Sequence, residues 1–447
     1  ATLDFALRAV SLQLAPALPP LHLRQTQGRL AVTRDASGAE LRLRHVVSAS
    51  GQGAHAPIED LRLRWSQAQD LSQRWTADTP ITGGELGIAQ LDLRALHAWI
   101  AALPLPAALR ASLAAAQPSG HAERLAWRWT GAPDQPASYR LDAKLRDLTL
   151  QPGLPRAPDA PARPGVHAAQ IELSANERGG QAQLSMRAGA LVLPGVWQQP
   201  LLPLERLDAT LAWHITPRRA APSAIELRLA QLSFANTDLR GDASAVWRSG
   251  SGPGDDGRWP GRLELDARLQ QVRADSVARY LPLGITPTAS EHVRDAVRAG
   301  SVRSASFKVH GDLSNFPFRQ ARDGEFLVVL QLHDISYAFL PAPWPRVEHA
   351  SGELEFNRLA MRLRRVQGQV GGYALRDVNG SIADLAADEP LLQLQARGQG
   401  NAAEVLHLAR LAPLGPGMGA MLDPVSVSGA SERSLALRVP LAGPQPV

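Results

Sequence analysis

"YRLDAKLRDLTL" (139–150) decides how the chain is read. Tyr139, Leu141, Ala143 and Leu145 alternate with Arg140, Asp142 and Lys144, the period of a strand with one dry and one wet face. The same alternation recurs in "LRLRW" (61–65), "RLAWRW" (124–129), "AIELRLAQLSF" (224–234), "RLELDARLQ" (262–270) and "GELEF" (352–356). Strands of a parallel sheet wrapped in helices would be apolar almost throughout. The pattern therefore predicts a mainly β, antiparallel chain.

Composition narrows the class further. At 45% hydrophobic and 20% charged residues the chain can bury a sizeable core and is not of disordered type. No run reaches the roughly 18 apolar residues of a membrane-spanning helix. The sequence starts inside a predicted strand, "ATLDFALRAV", without a leader, and trails off after another, "LALRVPLAGPQPV". It is expected to be a segment of a longer chain. The net charge of +5 comes almost wholly from arginine, Lys144 and Lys308 being the two lysines. It is spread along the chain rather than gathered into a stripe, so no nucleic-acid partner is expected. Having no cysteine, the chain has no disulfide, thiol catalyst or Cys-ligated metal, and this leaves the compartment open.

Short helical insertions punctuate the strands. "YLPLGITPTASEHVRDAVRAGSVRSASFKVHG" (280–311) holds a T-x-x-E pattern at Thr288 and Glu291, then the apolar stripe Val293, Ala296 and Val297, then Gly300. This predicts an amphipathic helix over 289–299. A shorter helical piece, "ADSVARYLPLG", precedes it, and a strand ending at Gly311 follows. The order of short helix, Leu-Pro or Ala-Pro, second helix or loop, and strand ending in Gly also occurs over 91–131. It is echoed over 401–429, where "PVSVSG" (424–429) is the predicted strand. Leu103, Leu281 and Leu411 mark equivalent points, which suggests an elongated, repeated architecture. The expected layout is a β segment over 1–152 with a helical insertion near 94–116, and a Pro-rich loop over 153–166. A second β segment covers 167–248, followed by a flexible Gly-rich loop over 249–257. A third covers 258–447, with insertions near 274–299 and 401–411.

Catalytic motifs do not emerge. None of the 12 histidines has metal-ligand spacing, and His292, His310 and His333 read as surface or strand-face residues. Neighbours in a strand point to opposite faces, so His333 and Asp334 cannot act together on one face. There is no nucleophile elbow, Walker loop or dinucleotide fingerprint. Asp255 and Asp256 fall in the flexible loop. Trp65, Trp127, Trp129, Trp213 and Trp247 sit in alternating strands and read as core or lining residues. No enzyme activity, cofactor or metal is expected.

From residue 280 onward the chain resembles the AsmA-like family of large Gram-negative envelope proteins. The resemblance is carried by "RYLP" (279–282), "VRDAVRAG" (293–300), "GDLSNFPF" (311–318), "DGEFLVVLQLHDISYAFLPAPWP" (323–345), "GELEFNRLAMRL" (352–363) and "VGGYALRDVNGSIADL" (370–385). The stretch from "LDLRALHAWIAALPLP" to "WRWTG" is similar to the preceding part of the same proteins; likeness is weakest over 153–260. The resemblance implies a periplasmic protein held to the inner membrane by an N-terminal anchor that this chain lacks. It also implies a long, twisted antiparallel β-sheet curled into a groove, bridging toward the outer membrane and moving phospholipid. It brings no catalytic residues.

Alternation alone leaves two architectures open: a closed sandwich, serving as an envelope scaffold or carbohydrate-binding module, or an open sheet with acyl chains on its dry face. For the open sheet the candidate lining is Leu263, Leu265, Phe307, Val309, Phe326, Val328, Leu330, Leu332, Leu354 and Phe356, which keep one parity within each of four strands. The helix carrying Val293, Ala296 and Val297 would then be a lid on that face, or a cover for a sheet edge. Headgroup preference, transport direction, protein partners and oligomeric state are not specified by the sequence.

Overall fold

The computed structural model describes the chain except residues 14–17, 36–37, 51–52, 68–80, 95–98, 104, 106, 134, 155–161, 219–220, 251–259, 282, 284–286, 339–345, 412–421, 423 and 442–447. It is built almost entirely of long antiparallel strands and divides into two compact units, Ala1–Gln231 and Leu232–Val447. The division falls inside a strand. Residues 155–161 of the Pro-rich loop lie outside the described residues, and the next strand begins at Gly165. Most of the Gly-rich loop at 249–257 lies outside the described residues.

The first unit starts with β1 (Thr2–Leu12), β2 (Leu21–Asp35), β3 (Gly38–Ser50), β4 (Gly53–Gln67) and β5 (Ile81–Asp92). It continues with β6 (Ser119–Ala132), β7 (Gln135–Leu150), β8 (Gly165–Asn176), β9 (Gly179–Val192) and β10 (Leu201–Arg218). Each pairs antiparallel with the next. A 3-10 turn at Ile100–Ala102 and α1 (Ala107–Ala116) stand between β5 and β6. β11 (Ala221–Ala235) crosses the division.

The second unit repeats the plan with β12 (Arg240–Arg248), β13 (Arg262–Arg273), β14 (Val297–Asp312), β15 (Gly324–Tyr337) and β16 (Val347–Asn357). It ends with β17 (Ala360–Val370), β18 (Tyr373–Ile382), β19 (Leu391–Asn401) and β20 (Ala430–Pro440). From β12 to β20 every strand again pairs antiparallel with its successor. At the ends of the two units β1 pairs with β2, β10 with β9, β12 with β13 and β20 with β19, and the antiparallel sheet is not closed into a barrel. A 3-10 helix (Ala274–Tyr280) and α2 (Pro287–Ala296) separate β13 from β14, and α3 (Ala402–Leu411) separates β19 from β20.

Two local expectations change. The helix expected at 289–299 begins at Pro287 and stops at Ala296. Proline suits a first helical position, where its missing N–H costs nothing, so Thr288 lies inside the helix and is not its cap. Val297 already belongs to β14 and pairs with Tyr337. The segment 424–429 is not a strand: Pro424 opens it, Val425 and Val427 are exposed, and β19 instead takes β20 as its neighbour.

Candidate functional site

Register assembles the alternating strands into continuous apolar rows. In the first unit Leu3, Leu30, Leu43, Leu61 and Ile88 stand side by side across β1 to β5. The row runs on through Leu125, Ala143, Leu173, Ala182 and Leu211. In the second unit Ala243, Ala267, Phe307, Val328 and Phe356 form the equivalent row. It continues through Met361, Ile382, Leu392 and Val439. At about 4.8 Å between strands, this second row is about 38 Å long.

All ten candidate lining residues lie on that face of the second unit. Leu265 opposes Val309, which opposes Phe326; Phe307 opposes Val328, which opposes Phe356; Leu330 opposes Leu354. Leu263 faces Gly311, and Leu332 faces Val302 and Gly352. Nine of the ten are half-buried, and Val328 alone is fully buried, at 7% exposure. A second sheet packed on this face would bring nearly all of them to full burial. Instead the face is apolar, continuous and partly open.

Full burial is concentrated along one line across each sheet. There the apolar spacing steps from two residues to three: Leu43 to Val46, Leu145 to Leu148, Leu269 to Val272, Leu332 to Ile335, Leu363 to Val366. In each of these cases the residue before the resumed apolar position has left-handed backbone, as at His45, Asp147, Gln271, Asp334 and Arg365. Register shifts mark the same places on β3, β7, β15 and β17. These four shifts are β-bulges, each of which bends its strand and increases its twist. The residues just past them are fully buried, among them Leu148 at 2%, as are Val272 at 5% and Ala169 at 0% after the left-handed Gln271 and Ala168. Each sheet is thus creased with its apolar face on the inside of the bend. The sequence signal was present, as a three-residue step in a two-residue pattern, but strand periodicity alone does not single it out.

The opposite face is charged and internally paired. Arg128 meets Glu85 at 3.2 Å, Arg248 meets Glu264 at 2.8 Å, and Arg364 meets the buried Glu355 at 2.7 Å. Hydrogen bonds from Arg62 and then Arg42 hold the Glu40 carboxyl below the usual carboxylate range. His333 and Asp334 each find a different partner, Arg303 and His349, because Asp334 occupies a bulge. Among the described residues no group of three or more His, Asp or Glu converges as a metal-ligand set.

Within the helical insertion the 3-10 helix Ala274–Tyr280 lies on the apolar face. Ala274 packs with Ile335, Ala350 and Val366, while Val277 and Tyr280 pack against Leu239, Val272, Val302 and Ala305. Asp238, 5% exposed, pins the helix: it accepts from Ser276 at 3.0 Å, Arg279 at 3.1 Å and the Tyr280 hydroxyl at 2.8 Å. Burial, then the bond to Asp238, pushes the Tyr280 hydroxyl up to about 12. Of the predicted lid residues, Ala296 is fully buried and Val293 half-buried, on a helix packed against the 3-10 helix and β14.

The family model described as YhdP protein matches residues 1–447. The chain belongs to the YhdP family. The AsmA-like resemblance of its motifs is thereby borne out, and the shared plan of both units fits a match over the whole length. No curated protein and no solved structure matches the chain. No described helix is long and apolar enough to cross a membrane.

Proposed function

We propose that the chain is a periplasmic segment of a bridge-like lipid transport protein. It holds phospholipid acyl chains on its creased apolar faces and carries them between the inner and outer membranes. The observation that supports this is the half-burial of an unbroken apolar row on an open sheet. Monomeric proteins rarely leave a contiguous apolar surface larger than a few hundred Å² without an occupant. Acyl chains are occupants that need no hydrogen-bond partners and tolerate sliding along a smooth row. The reading involves no catalysis and no cofactor. Membership of the YhdP family is consistent with it, as is placement in the Gram-negative envelope.

Native mass spectrometry of the purified chain, with lipid extraction, tests the reading beside a copy carrying Phe307→Asp and Phe326→Asp. Phospholipid that co-purifies with the parent and is lost from a still-folded double variant is the expected result. A lipid-free parent that folds cleanly would sink the reading and favour a scaffold or carbohydrate-binding role.

A further inference from the structure

At one rim of the second unit's apolar face stands a cation that meets no acid among the described residues. The row Leu265, Val309, Phe326 is extended by Arg358, whose backbone N–H donates to the Phe326 carbonyl at 2.8 Å. Arg358 lies in the turn one step past the end of β16, so a guanidinium-bearing residue stands at the sheet's rim beside Phe326. Arg358 is half-buried and has left-handed backbone. Its donors meet only neutral acceptors: Nη1 reaches Asn357 Oδ1 at 3.2 Å and Nη2 reaches the Gly324 carbonyl at 3.4 Å. Nε is buried and has no partner.

On the neighbouring strands arginines are matched with an acid, as Arg362 and Arg364 are with Glu355. Among the described residues no carboxylate forms an ion pair with Arg358. A half-buried guanidinium without an anion forgoes the charge-assisted, bidentate bonds for which its fork is built. Its surroundings specify what the anion is attached to. Phe326 is its neighbour in the row, and Phe316, 46% exposed, packs edge-on to Phe326 at 5.2 Å. An anion there sits at the border of apolar ground.

We propose that Arg358 binds the phosphate of a lipid headgroup at the rim of the apolar face, with the acyl chains lying inward on Phe326, Val309 and their row. The proposal rests on the lipid reading above and adds the headgroup chemistry: a phosphodiester anion, held by one guanidinium.

The test offers the purified chain an equimolar mixture of phosphatidylglycerol and diacylglycerol with identical acyl chains, and reads both bound species by native mass spectrometry. The parent is expected to retain phosphatidylglycerol about tenfold over diacylglycerol, the ratio that one charge-assisted contact supports. Arg358→Gln is expected to bind both equally, and Arg358→Lys, which keeps the charge but not the fork, to fall between. Thermal melts of all three establish that they fold. Equal binding of both lipids by the parent, unchanged in Arg358→Gln, would overturn the headgroup assignment and leave the apolar face as a lipid site. Binding of neither lipid would overturn both. Inorganic phosphate titrated onto lipid-free protein separates the sources: phosphate binding that needs Arg358, without lipid preference, would make it a free-anion site and refute the proposal.

Discussion

Leu141, Leu145 and Leu148 share one strand and one face, yet only Leu148, just past the bulge at Asp147, is fully buried. Truncating them separately asks whether the apolar face is open. Leu148→Ala removes three carbons from a closed environment of Ala169, its register partner at 0% exposure, and its neighbours. A buried Leu→Ala change with partial relaxation costs about 3–4 kcal/mol. Leu141→Ala removes the same carbons from a half-buried site. At about 0.8 kcal/mol per fully buried methylene, half burial gives a loss of about 1.2 kcal/mol and no enclosed cavity. Urea unfolding followed by tryptophan fluorescence reads the difference, since Trp127 and Trp129 stand on β6 beside β7 with their rings stacked at 4.3 Å. The midpoint should fall about two to three times further for Leu148→Ala than for Leu141→Ala, with unchanged slopes. Equal losses would mean that Leu141 is enclosed as well, and would refute the open, creased sheet.

Two further outcomes follow from the second unit. The Tyr280 hydroxyl ordinarily ionises near 10 and in the fold is raised to about 12, so the unfolded chain releases this proton first. Stability should therefore fall as pH rises from 10 to 12, and Tyr280→Phe should remove that part of the slope in a pH series of urea melts and erase its contribution to the tyrosinate absorbance titration. Gly398 lies beneath the buried Tyr373 ring, whose hydroxyl donates to the Gly398 carbonyl at 2.8 Å. An added methyl would overlap that ring, and Gly398→Ala should cost about 1–3 kcal/mol in thermal unfolding, whereas Gly429→Ala, with open space around the site, should show strain from its backbone conformation alone.

Much of the architecture was legible because alternation is a local signal. "RLELDARLQ" and "GELEF" carry their strand identity in a few residues, and parity within each strand sufficed to place Leu263 and Phe356 on one face once register was known. The crease is harder to read. In "LQLHDISY" (330–337) the step from Leu332 to Ile335 looks like a fault in the pattern. It becomes a feature only when neighbouring strands step at matching heights, which is a relation across the sheet. The seating of the 3-10 helix likewise depends on a contact distant in the chain. α2 has the more amphipathic sequence, but the 3-10 helix lies on the apolar face because Asp238, distant in the chain, fastens it there. Arg358 reads in the sequence as an ordinary turn arginine; its place beside Phe326 is a relation between two strands.

The bulges also explain how an apolar face can stay partly open without the sheet falling apart. A non-glycine residue in left-handed backbone costs roughly 1–2 kcal/mol, and the chain accepts this at His45, Asp147, Ala168, Gln271, Asp334, His349 and Arg365. In nearly every one of these strands the next residue is fully buried, as Val46, Leu148, Ala169, Ile335 and Val366 are. Burying one such aliphatic side chain returns about 1.5–3 kcal/mol, so the bend is offset strand by strand. No second layer is needed to hold it. From β1 to β10 and from β12 to β20 each strand also pairs with its immediate successor, which keeps the contacts local and lets the plan extend by adding hairpins. A chain built this way can lengthen a creased apolar surface indefinitely while leaving its interior available to an occupant, something a closed sandwich of the same composition cannot do.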